Sequence, residues 1–194
     1  MPDIQHSFLE QFTINLREQL ISLCTQRGLL GGELYIVDEL TVKWKESAPH
    51  YMADAVPEIK DYPTVAIAWA CYFGIGAASF WDLAWEQVKD IPDLYLYMRS
   101  KRGFDNMDEY VTEELSGLKG DPQAPEENKK ARALTSTIQD CAGLALTLIR
   151  KEGIEPQSKE AFYLFYNVTE LFFYLGVSLE LYRLGYKYEK VLLN

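Results

Sequence analysis

Histidine is nearly missing from this chain, and its scarcity closes several routes to chemistry. His6 and His50 are the only two. Neither follows a Glu by three positions, so the paired Glu-x-x-His sites of di-iron carboxylate bundles cannot be assembled. HExxH is absent, and with it the zincin mechanism. A Ser-His-Asp triad would have to use His50, which sits in a Pro-flanked stretch with no G-x-S-x-G nearby. Cysteine is also sparse: Cys24, Cys71 and Cys141 are odd in number and widely spaced, with no CxxC pair. A disulfide framework or structural zinc site is not indicated, and small buried thiols are expected instead. Glycine (12) and proline (8) are too few for a fibrous or low-complexity chain. The cluster Gly28-Leu29-Leu30-Gly31-Gly32 is followed by no Gly-Lys-Ser/Thr, so it is not a phosphate loop.

Positive charge is the next shortage. Lys and Arg total 19 against 29 Asp and Glu, a formal net charge of −10. Binding to nucleic acid draws its affinity from neutralised phosphates, so no nucleic-acid partner is expected. An anionic membrane surface is disfavoured for the same reason. A basic protein partner would be drawn by the same charge. The opening stretch, MPDIQHSFLEQF, lacks the basic and apolar regions of a secretory signal, and a cytoplasmic location is expected.

What the chain does have is apolar and aromatic material. Hydrophobic residues make up 48% of its 194 residues, and 13 are Tyr. The dominant period is helical. Phe8, Phe12, Leu16, Leu20 and Cys24 recur every fourth residue, which predicts a first long helix. A second is expected over 63–88. It contains eighteen residues without a formal charge, Thr64 to Trp81. That run is borderline for a membrane span, but it is rich in Ala and Gly and has no flanking basic cluster, so it reads as a buried helix. Within it, Ala66, Ala70, Gly74 and Ala78 form a small-residue ridge, suited to a close helix crossing or to leaving room for a ligand. Two further long helices are expected over 125–151 and 158–184, the last capped by Ser158 and apolar on most sides.

Between these, the signals are weaker. Residues 29–47 fit a helix face, yet a short hairpin near 33–44 also suits the run after Gly31-Gly32. Pro49 and Pro57 are expected to bracket a short helical piece. Short helices are expected over 93–101 and 104–115, and residues 116–125, rich in Gly and Pro, read as a mobile loop. The fold class is therefore all-α: one domain over 1–194, a bundle of four long helices with two or three short ones. Two helices apolar on most sides are hard to enclose in one small chain, so a homodimer is expected.

Two residue sets are candidate sites. Tyr163, Asn167, Glu170, Tyr174 and Ser178 share one face of the last helix. Turned inward, they would line a hydrogen-bonding pocket in which burial raises the pKa of Glu170. Asp105, Asp108 and Glu109 would share a helix face and could hold Mg²⁺ through carboxylate oxygens, although no second acidic motif faces them. No resident cofactor is otherwise indicated. The first functional reading is a non-enzymatic interaction protein of regulatory or adaptor type. A small-molecule binder using the Tyr163–Ser178 stripe and a metal-dependent hydrolase using acidic helix faces remain as alternatives.

Overall fold

The computed structural model describes residues 2–118, 123 and 125–187 of the chain. These residues form eight α-helices and one π-helical turn, with no strand among them. Helix α1, Pro2–Gln26, is built as its period demands: Phe12, Leu16, Leu20 and Cys24 are all buried. It stops where Gly28 takes φ +73°, a left-handed conformation that a side chain would resist.

No hairpin forms over 33–44. Residues 27–37 instead cross the C-terminal half of the last helix without a partner strand, burying Leu30 and Leu34. Asp38 and Glu39 then open α2, Asp38–Glu58, where acidic side chains favour the positive end of the helix dipole. The expected short piece between Pro49 and Pro57 is part of this longer helix, which runs through Pro49. That proline costs one backbone hydrogen bond on an exposed side. Trp44 and Ala48 before it, and Tyr51, Met52 and Ala55 after it, lie on one buried stripe that holds the helix together.

Helix α3, Pro63–Leu83, starts on Pro63 and is buried from Ala66 to Ser79 except at the half-buried Trp69. It ends earlier than its composition implies, because Ala84 leaves helical geometry at φ −146° before the single turn α4, Trp85–Val88. Asp93 caps α5, Leu94–Arg102, by accepting the Leu96 N–H at 2.8 Å. The helix expected over 104–115 begins only at α6, Met107–Glu109, and widens into a π-helical turn at Tyr110–Leu115. Of the loop expected at 116–125, residues 119–122 and 124 lie outside the described residues. Helix α7, Pro125–Lys151, follows. Helix α8, Lys159–Arg183, is capped by Ser158, whose Oγ accepts the Ala161 N–H at 3.0 Å.

Helices α3 and α8 form the axis of the fold. Both are long and apolar enough to cross a membrane, yet their most apolar stretches are 72% and 67% buried within the chain. The small-residue ridge receives a helix, not a ligand. Gly74 lies against the backbone of Phe173 and Val177, while Gly176 lies against the backbone of Cys71 and Ile75. Beside this crossing, Trp44 anchors an aromatic cluster, with its ring 5.1 Å from Phe173 and 5.9 Å from Tyr51. One chain thus encloses both apolar helices, and their composition by itself demands no second copy.

Candidate binding groove

The second half of α2 and the first half of α8 diverge enough to leave an open groove of about 840 Å³. Helix α2 supplies Ala48, Pro49, Met52, Val56 and Pro57 to its floor and one wall. Helix α8 supplies Phe162, Tyr163, Tyr166 and Asn167 to the other, and Lys45 stands at one end. Several of these side chains would normally be withdrawn from water. Val56 is 39% exposed, Phe162 45% and Tyr163 57%.

The groove leads at its Lys45 end toward a half-buried polar seam. The rings of Trp44 and Tyr166 are 6.1 Å apart there. Glu170, one turn beyond Tyr166 on α8, is half-buried, and burial pushes its carboxyl above the ordinary range. The Trp44 indole and the Lys45 ammonium temper that shift without cancelling it. Trp44 Nε1–H is itself fully buried and makes no aligned hydrogen bond. The Tyr166 and Glu170 side chains are among its polar neighbours, so this corner is polar as well as aromatic.

The stripe expected on α8 is divided by the fold. Tyr163 and Asn167 line the groove. Glu170 and Tyr174 lie deeper, against α2, where Tyr174 Oη donates to Thr41 Oγ1 at 3.3 Å. Ser178 is fully buried and structural. Its Oγ accepts the Tyr35 N–H at 2.7 Å and donates to the Tyr174 carbonyl at 2.7 Å, pinning the 27–37 segment to α8. The α2 wall was missed in the sequence because Pro49 and Pro57 read as breaks. Its signal was the apolar series Ala48, Met52 and Val56, which continues through Pro49 at helical spacing.

The acidic set does not gather. Asp105 precedes the helix, so the i, i+3, i+4 geometry expected of Asp105, Asp108 and Glu109 is not built. Glu109, Glu113 and Glu114 turn toward Arg102 instead, at 3.6, 2.8 and 2.7 Å. Among the described residues, no three His, Cys, Asp or Glu side chains are grouped to hold a metal ion.

Glu170 gives the seam a measurable signature. In the unfolded chain its carboxyl releases its proton near the ordinary value of 4.5, whereas in the folded chain it holds the proton to higher pH. Above 4.5 the native state therefore binds more protons, and this residue's contribution to stability falls as pH rises. Glu170→Gln is expected to gain on the wild type as pH rises through that window, read by urea unfolding at stepped pH. Parallel stability curves would mean that the carboxyl is hydrated. No family model, curated protein or solved structure matches this chain.

Proposed function

We propose that this chain is a binding protein of adaptor or regulatory type, which uses the α2–α8 groove to hold an amphipathic helix of a basic partner protein. The observation that carries this reading is the exposure of Val56, Phe162 and Tyr163 along one continuous apolar trough. Small-molecule sites enclose most of their ligand's surface, whereas this groove is open along its length. From Lys45 to Pro57, α2 runs about 18 Å, enough to lie beside three turns of a second helix. Such a helix would present anchors at i, i+3/i+4 and i+7. Tyr and Met suit such a surface, the first as a rigid amphipathic contact and the second as an adaptable one.

The net charge of −10 selects among protein occupants. A partner helix with basic flanks would be steered toward the chain, whereas a second copy would bring an equal negative charge. The hydrolase reading has less support, because Glu109 of its acidic set is drawn to Arg102 and Asp105 lies ahead of the helix.

The test uses two designed 14-residue amphipathic helices, one Leu/Lys and one Leu/Glu, titrated into ¹⁵N-labelled protein. The Leu/Lys peptide is expected to shift amides along 48–57 and 162–167, and the Leu/Glu peptide is not. Phe162→Asp with Tyr163→Asp should weaken binding by more than tenfold, since hot-spot anchors contribute on the order of 1–2 kcal/mol each. Both side chains are exposed, so the melting temperature should hold. Shifts spread over the surface, or binding indifferent to this double variant, would overturn the proposal. So would sedimentation at twice 22.3 kDa that reverts to one chain in the same variant, because the groove would then be filled by a second copy.

A further inference from the structure

The three cysteines are separated by dozens of residues in sequence, yet two of them meet. Cys24, in the last turn of α1, and Cys141, in the middle of α7, are both fully buried, with Sγ atoms 3.7 Å apart. A disulfide needs about 2.05 Å, so each sulfur would move by only about 0.8 Å. The geometry points to Cys24 and Cys141 as a reversible redox pair, closed by a hydroperoxide oxidant into a disulfide that staples α1 to α7. This inference concerns a different part of the fold from the groove and does not depend on it.

The surroundings divide the labour between the two sulfurs. Arg27, just past the end of α1, reaches α7 on both sides of one turn. Its Nη1 donates to Thr137 Oγ1 at 3.1 Å, and its Nη2 pairs with Asp140 Oδ2 at 2.7 Å. These residues lie four and one positions before Cys141, so the guanidinium stands beside the pair. Hydrogen bonding from Cys141, with help from Arg27, lowers the pKa of Cys24. The same hydrogen bond and burial push Cys141 up. Cys24 is thus the more readily ionised sulfur and Cys141 the thiol that supports it.

Residues 25–28 are exposed, and helix ends open at lower free energy than cores do, so fraying of this turn gives a peroxide access to Cys24. The thiolate attacks the O–O bond, becoming a sulfenic acid and releasing one water after proton uptake. Cys141 then attacks that sulfur, loses its proton and displaces the oxygen as a second water. Two thiols and one H₂O₂ give one disulfide and two waters. Cys71 is fully buried, and burial pushes its pKa up, which makes it an internal control.

The full chain is treated with hydrogen peroxide, quenched, alkylated and digested with trypsin. The expected product is peptide 18–27 joined to peptide 133–150, with Cys71 in peptide 61–89 fully alkylated. Dithiothreitol should restore all three thiols. Because the bond would close a loop of more than a hundred residues, the oxidised protein should melt on the order of 10 °C higher. Cys71→Ala should leave the linked peptide unchanged, and Cys141→Ala should abolish it. Three free thiols after oxidation of the folded protein would overturn the inference. So would a bond that involves Cys71 or joins two chains.

Discussion

Alanine at Gly176 is expected to destabilise the chain by about 3 kcal/mol or more, the upper end of what overpacking costs. Its Cβ would fall against the Cys71 carbonyl, with the Cys71 carbonyl carbon at 2.8 Å and Ile75 N at 2.9 Å. These are backbone atoms of α3, which cannot rotate aside as a side chain can. The two helices would have to separate along their whole shared length. Gly74 is the reciprocal position, since its Cβ would meet the Phe173 carbonyl oxygen and Val177 N. Gly74→Ala should therefore cost a similar amount, and the double variant should be largely unfolded against a typical total of about 5–15 kcal/mol. Gly143, in α7, gives the contrast, because nothing lies within 4 Å of an added Cβ there. Gly143→Ala should stabilise by about 0.5–1 kcal/mol through helix propensity alone. Urea unfolding followed by circular dichroism at 222 nm reads the four variants against the wild type. Equal gains at Gly176 and Gly143 would mean that propensity, not helix contact, governs both.

That crossing was visible in the sequence only as half a pattern. The ridge of Ala66, Ala70, Gly74 and Ala78 announced a smooth face, and four-residue spacing placed it on one side of a helix. Nothing local could say that Gly176, a hundred residues later, is its counterpart, because interlocking is a property of two surfaces. The same limit governed the groove. Period fixed α1, α7 and α8 closely, since their apolar stripes are long and their caps explicit: Ser158 for α8 and Gly28 after α1. Proline misled at Pro49, where its local cost is outweighed by the burial of Trp44 and Tyr51 on either side. Once α2 is read as one helix, Met52 and Val56 fall opposite Tyr163 and Asn167, and the groove acquires its second wall. The α8 stripe was sound as a face but not as a pocket. Its members span about four turns, and a neighbouring helix and the 27–37 segment each claim part of that length. The meeting of Cys24 with Cys141 was beyond reach for the same reason, as helix pairing sets it rather than spacing.

Substituting Arg183 should cost more than substituting the carboxylate it binds, by roughly 2 kcal/mol. Glu180 is 2% exposed and holds three hydrogen bonds: Ser79 Oγ at 2.8 Å, Arg183 Nε at 2.8 Å and Arg183 Nη2 at 2.7 Å. Arg183→Met removes the only cation among these partners and leaves a buried charge uncompensated, a change that typically costs about 3–5 kcal/mol. The reverse change leaves no such debt. Arg183 is 37% exposed in its side chain and can turn to water when Glu180 is replaced by Met. Ser79 keeps an acceptor as well, since its Oγ lies 3.0 Å from the Ile75 carbonyl. Glu180→Met should therefore cost about 1 kcal/mol, and Glu180→Met with Arg183→Met should stay close to it. The cycle would show strong coupling, with the double variant more stable than Arg183→Met alone. Four urea curves decide the matter. If Arg183→Met proved the milder single change, the carboxylate would have to draw its support from Ser79 and the surrounding dipoles, and the ion pair would be incidental to the α3–α8 seam.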